Sequence, residues 1–171
     1  ISHGSPWLRM VGRPALVVGL YLAAFLALEK AGLAVQAAAG FSPWRLSSGL
    51  SMALLLAFGL RYAPALVIAA GLSGLFGLAP PGLSQFKWPV QLILALDFTL
   101  TYAVGAYALQ RALGVDLRLR EVRHVVSFMR VTVIAPLVAL VFAVGWVWVF
   151  SALHLPWRDG LHWWLGEAIG I

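Results

Sequence analysis

An all-α, polytopic transmembrane helical bundle is the fold class this sequence predicts, and three observations predict it. Of the 171 residues, 62% are hydrophobic and only 11% charged, with a mean hydropathy of +0.92. A soluble domain carries roughly a quarter of its residues as charges, so this chain has too few to wet a globular surface. The apolar residues also come in long runs, without the alternation that the strands of a membrane barrel require. Finally, the polar stretch Arg111–Arg130 gathers five of the twelve basic residues between two apolar runs. Lys and Arg near span ends are retained on the cytoplasmic side, so this stretch orients every other segment.

The net charge of +6 is compatible with nucleic acid or anionic lipid. Most basic residues flank apolar spans, which makes them topology determinants and argues against a nucleic-acid partner. The absence of cysteine removes disulfides, thiolate nucleophiles and thiolate metal ligands. Residues 1–10 read as leader or vector-derived sequence, and residues 11–171 as part of a longer membrane domain.

About five full spans and the start of a sixth are expected. The first covers about 14–28, opening on Pro14 and ending at Glu29 and Lys30. The alanine-rich connection after it either prolongs the helix or lies at the interface. Spans two and three, about 45–60 and 63–78, flank the polar break Arg61-Tyr62-Ala63-Pro64. Each is roughly 23 Å of helix against a hydrocarbon core nearer 30 Å. Two spans are preferred over a re-entrant hairpin, because Arg61 at the turn is costly in lipid.

Ala79–Ser84 reads as a turn-rich outer loop. Span four, about 89–113, carries Asp97 inside its apolar run, with Thr101 one turn on. Span five, about 131–153, contains Pro136 as a kink site, and span six opens at about 161 and runs to 171. Small residues recur at Gly19/Ala23/Ala27, Gly49/Ala53/Ala57, Gly71/Gly74/Gly77 and Ala135/Ala139/Ala143, stripes that permit close helix contact.

With the basic stretch inside, the alternation of spans makes the N-terminus cytoplasmic. Arg9, Arg13, Arg61, Arg111, Arg118, Arg120, Arg123 and Arg130 then fall inside, and Lys30, Arg45, Lys87 and Arg158 outside. Seven of the eight tryptophans fall at or near the outer boundary, the exception being Trp7.

Three stretches carry a family likeness. Phe41–Ala70 holds Trp44, Gly49, then Gly59, Arg61, Tyr62 and Pro64 around two small-residue helices. Leu117–Ala139 is an arginine-rich loop feeding an apolar span. Trp163-Trp164-Leu165-Gly166-Glu167-Ala168-Ile169-Gly170 opens the last one. Together they resemble the bacterial membrane-associated sensor domain of the first type, over about residues 11–171. The chain departs from that pattern at Arg45-Leu46, where prolines are common, and at Glu167, where Asp is usual.

The resemblance implies a multi-span sensory input domain of the bacterial inner (cytoplasmic) membrane. It would relay an outer or intramembrane signal to a cytoplasmic output in the same polypeptide, a cyclic-di-GMP enzyme or a histidine kinase. The lipid bilayer, a small-molecule or protein signal and a second copy are the implied partners. No nucleophile elbow, phosphate loop or paired catalytic carboxylates point to catalysis in this chain. The alternatives are a small membrane solute-binding or transport module, and a structural membrane subunit.

The candidate signal-sensing residues are Asp97, Thr101, Glu167, Trp163, Trp164, Gly166, Trp44, Arg45, Ser48 and Gly49. Asp97 must be protonated, paired or facing a wet cavity; the competing reading is an interhelical hydrogen bond through Asp97 and Thr101. Glu167, by the resemblance, is a ligand-facing acid near the outer mouth; otherwise it is a carboxylate paired with Arg45, Arg158 or Lys87. Trp163 and Trp164 serve as membrane anchors or a stacking cage. Arg45 heads a cluster with Ser47, Ser48 and Ser51 that suits an anionic or hydroxylated ligand, against a purely local role for helix-start serines. Arg111, Arg118, Arg120, Arg123 and Arg130 set the topology and form the surface nearest an output domain.

Overall fold

A computed structural model describes residues 14–39, 45–78, 88–112, 122–151 and 157–171. The described residues are almost entirely helical: α1 Pro14–Ala39, α2 Leu46–Phe58, α3 Ala63–Leu75, α4 Trp88–Tyr107, α5 Val122–Ser151 and α6 Trp157–Gly170. Among the described residues, three helices are long and apolar enough to cross a membrane, over Pro14–Val35, Pro89–Arg111 and Val122–Trp146. α2 and α3 are apolar but only 13 residues each, roughly 20 Å of helix. Many large apolar side chains on the long helices face outward, among them Leu20, Leu100, Val104, Val141 and Phe142, as a hydrocarbon solvent requires.

Of the two alternatives after Glu29–Lys30, the prolonged helix is the one the structure shows: α1 continues to Ala39. The following residues contain no proline and, Gly32 apart, are mostly alanine, and Glu29 turns inward to partners described below. One boundary differs from the sequence expectation. α5 begins at Val122, well before 131, so the latter half of the basic stretch is helical. Its Val122, Val125, Val126 and Met129 lie on exposed apolar faces beside the exposed Arg123 and Arg130.

α2 and α3 meet at a tight corner. Gly59 has φ +91°, a conformation that favours glycine, and it opens a 3-10 turn over Leu60–Tyr62. Pro64 then stands in the first turn of α3, where its missing N–H costs nothing. Tyr62 is buried against the Phe58 ring, and the Arg61 guanidinium lies 5.1 Å from the Tyr62 ring centroid. The end of α2 is capped from α4. That helix closes in a π turn over Ala108–Ala112, and Gln110 on it donates to the Leu56 carbonyl at 2.9 Å and the Leu55 carbonyl at 3.3 Å. The Gly-x-Arg-Tyr-x-Pro motif is thus a corner.

α2 packs against α1, α4 and α6, and α4 against α2, α3 and α5, while α3 also packs on α1 and α5 on α6. The core is formed around Met52, Leu55, Leu66, Ala69 and Ala106, joined by Tyr21. Only some of the small-residue stripes serve helix contact. Gly19, Ala23 and Ala27 face outward, and so do Ala53 and Ala57. Ala135 and Ala139 are buried, with Ala135 beside Gly105 of α4.

Candidate functional site

Charge is concentrated at the start of α2. Arg45 immediately precedes the helix, and Ser47, Ser48 and Ser51 lie in its first two turns, all three buried. Their partners come from three other helices. On α1, Tyr21, Phe25 and Glu29 recur at every fourth residue and share a face. On α4, Tyr102 stacks on Phe98 with ring centroids 6.5 Å apart. On α6, Glu167 stands between Gly166 and Gly170 and is only 2% exposed.

The Arg45 guanidinium joins two acids. Its Nη1 donates to Glu167 Oε1 at 2.7 Å, and its Nη2 lies 3.6 Å from Glu29 Oε2, an ion pair too long for a hydrogen bond. Ser48 Oγ and Tyr102 OH both donate to Glu167 Oε2, and Ser47 Oγ donates to Glu29 Oε1. Ser51 Oγ donates to the Ser47 carbonyl at 2.8 Å, which spends its one proton. The 2.9 Å bond between Tyr21 and Ser51 therefore runs from the Tyr21 hydroxyl.

Two carboxylates and one guanidinium leave an excess of one negative charge when both acids are ionised. The free amides and dipole at the N-terminus of α2 oppose that excess. Backbone approach makes the geometry feasible. The Arg45 N–H donates to the Gly166 carbonyl at 3.2 Å, and a side chain at Gly49 would run into the Gly170 carbonyl. Gly170 in turn lies against the backbone of Arg45. The Gly-Glu-x-x-Gly run is thus the surface on which α6 meets the head of α2.

This network lies within the long helices and not at their tips. Glu29 is roughly 22 Å along α1 from Pro14, and Tyr102 roughly 20 Å along α4 from Pro89. Both fall inside the apolar windows Pro14–Val35 and Pro89–Arg111. Beside it is a cavity of about 100 Å³, room for a few waters or a very small solute. Phe25, Leu66, Ser73, Gln91, Phe98 and Thr99 are among the other residues that line it.

The expected residues separate into groups. Arg45, Ser48, Gly49, Gly166 and Glu167 come together, and Glu167 takes Arg45 as its partner. Asp97 and Thr101 do not join them; they line a different groove between α4 and α5. Asp97 Oδ2 has no hydrogen-bond partner, so no bond to Thr101 satisfies that oxygen. Trp164 donates from Nε1 to the Val133 carbonyl at 3.2 Å, tying α6 to α5 near Pro136. Trp44, Arg118 and Arg120 lie outside the described residues, as does the Trp163 side chain. Arg111 is exposed on the π turn.

Glu29, Tyr102 and Tyr21 are the members that sequence reasoning missed. Glu29 reads as the polar end of a span. The signal for it was the four-residue spacing Tyr21–Phe25–Glu29 on one helix face, leading into an alanine-rich segment without proline.

A family model supplies the comparison that decides kinship: the MASE1 model matches residues 13–171. The chain belongs to the MASE1 family. MASE1, the membrane-associated sensor domain 1, is a membrane sensory domain, and contact with the lipid bilayer follows from that. No curated protein and no solved structure matches the chain. Within this MASE1 domain, the sequence motifs divide by role. Gly59–Pro64 builds a corner, whereas Arg45, Gly49 and Gly166–Gly170 bring one cation and its acids together inside the bundle.

Proposed function

We propose that this MASE1 domain senses through the Arg45 network, and that a signal acts by altering how the head of α2 is held against α1, α4 and α6. One observation carries the reading: a single half-buried guanidinium bridges buried acids from two helices at the start of a third. Such a network gains little over apolar packing when complete but is costly when one partner is lost. Whatever satisfies one of its acids in another way can therefore shift the packing at small net cost. A ligand or a proton that competes for Glu167 or Glu29 shifts the packing only if it binds one arrangement better than the other.

In this reading the domain sits in a bacterial inner membrane as a multi-pass input unit with a cytoplasmic N-terminus. The short helices α2 and α3 complete a set of five or more membrane segments. The change is relayed to a cytoplasmic output on the same polypeptide, a cyclic-di-GMP enzyme or a histidine kinase, working as a homodimer. The arginine-rich segment Arg111–Arg130 is the face closest to that output. The same cavity at a helix N-terminus also supports the solute-binding alternative; uptake of solute by proteoliposomes would favour it.

The test is output of the full-length protein in membranes. Glu167→Gln should change basal output or abolish the response, whereas Lys30→Gln, an exposed neighbour of Glu29 in sequence, should leave both unchanged. A native response from the Glu167 variant, present at native levels, refutes the proposal.

A further inference from the structure

The wall of the cavity beside the Arg45 network offers lone pairs more than protons. Ser47 and Ser48 give their hydroxyl protons to Glu29 and Glu167, Ser51 to the Ser47 carbonyl, and Thr99 to the Ala95 carbonyl at 2.8 Å. What these oxygens have left is acceptor capacity. Two further oxygens on the lining make no hydrogen bond among the described residues. Glu29 Oε2 stands 3.6 Å from Arg45 Nη2, and Ser73, only 6% exposed, has no partner for its hydroxyl. Both remain open to the cavity, whereas the unpartnered Asp97 Oδ2 elsewhere in the bundle is sealed. We propose, building on the sensing role of the Arg45 network, that this cavity binds a small protonated primary amine, its ammonium held by Glu29 Oε2 with Ser73 Oγ as a second acceptor.

Charge, donor chemistry and wall character select that occupant. With both acids ionised, Glu29, Glu167 and Arg45 leave one negative charge in excess. The α2 N-terminus, worth roughly half a charge, offsets only part of it. An anion would add to the excess, whereas a monovalent cation completes the balance. Arg45 also lines the cavity, but its own charge is already shared between the two acids. A hard metal ion takes about six or more oxygens, and much of this lining is carbon, from Phe25, Leu66, Leu94, Ala95 and Phe98. A primary ammonium brings three N–H donors for the lone pairs and a stem for the apolar wall. At about 100 Å³ the cavity keeps that stem short.

The same geometry says where the ligand acts. An ammonium on Glu29 competes with the long Arg45–Glu29 contact and not with the 2.7 Å bond from Arg45 to Glu167. It therefore works on the α1 side of the network and leaves the α6 side intact.

Thermal unfolding of the full-length protein in nanodiscs tests this, because a ligand that binds only the folded state raises the midpoint in a saturable way. Ethylammonium chloride replaces sodium chloride stepwise at neutral pH and constant ionic strength, so only a preference over sodium registers. Ethylammonium should raise the midpoint. Tetramethylammonium, which carries the charge without an N–H, and acetamide, which has donors without the charge, should not. Ser73→Ala should weaken the ethylammonium effect about tenfold, the worth of one hydrogen bond to a charged group. Glu29→Gln should abolish it, and Ser73→Ala keeps the test decisive if the glutamine variant does not fold. The absence of a saturable shift, an equal shift with tetramethylammonium or acetamide, or unchanged affinity in Ser73→Ala would each overturn the proposal. If ethylammonium fails while Glu167→Gln still alters output, the network keeps its sensing role and only the amine is refuted. Ethylammonium binding beside a native response from Glu167→Gln would support the amine site and refute the sensing role instead.

Discussion

Arg45 is the residue on which the site depends. A guanidinium keeps its charge in any protein environment, so it must be matched wherever it is buried. Here it is matched by Glu167 and Glu29, and the acids are completed by Ser47, Ser48 and Tyr102. Replacing it with an apolar residue leaves two carboxylates without their cation. Arg45→Met should cost about 3–5 kcal/mol of unfolding free energy, read from denaturant titration in mixed micelles. Tyr102→Phe removes one of three donors to Glu167 and should cost only about 1 kcal/mol in the same assay. Equal losses from the two would mean that packing, not charge, holds the cluster. At this scale the sequence was partly legible. Arg45, the serines and Glu167 were all visible as polar residues in apolar surroundings, and their pairing was one of the alternatives. Glu29 was not, because an acid next to a lysine at the end of an apolar run reads as a boundary, and only the packing of α2 shows it turned inward.

The helices show why the small residues differ in meaning. Gly49 and Gly170 let two backbones touch, whereas Gly19 has nothing within 4 Å of where a side chain would be. Gly49→Ala should therefore push α6 off α2, lowering stability and weakening the Arg45–Glu167 pair. Gly19→Ala should raise stability slightly, by about 0.5–1 kcal/mol, from helix propensity alone. Thermal unfolding of the two variants side by side separates contact from composition; a silent Gly49→Ala would contradict the close approach. Gly59 is a third case, since its φ of +91° strains any residue with a side chain. Gly59→Ala should cost about 1–3 kcal/mol, measured the same way. A four-residue spacing of glycine and alanine is the same pattern on a packed and an open face. Sequence alone thus identifies the stripe and not its partner. The same limit explains α5, whose first turns hold exposed valines among arginines and read as loop until the helix is seen.

The whole molecule is a membrane sensory domain whose longest helices frame a shorter one. α2 contacts α1, α4 and α6, begins at the Arg45 ion pairs and ends at the Gly59 corner under Gln110. In the proposed reading, a change at its head is passed along the helix to that corner. Fold class and family were legible because hydropathy, charge placement and three motifs agreed. The division of the polar residues into two separate places was not, since Asp97 and Glu167 look alike as acids in apolar runs. The central claim is that the Arg45 network carries the signal and does not merely hold the fold. It is tested most directly by output of the full-length protein carrying Arg45→Met alone and the triple replacement Glu29→Met, Arg45→Met and Glu167→Met. Replacing all three charged partners by apolar groups should restore much of the stability lost by Arg45→Met. The triple variant should fold to near-native levels yet no longer respond to signal; a normal response from it would show that the network only holds the fold.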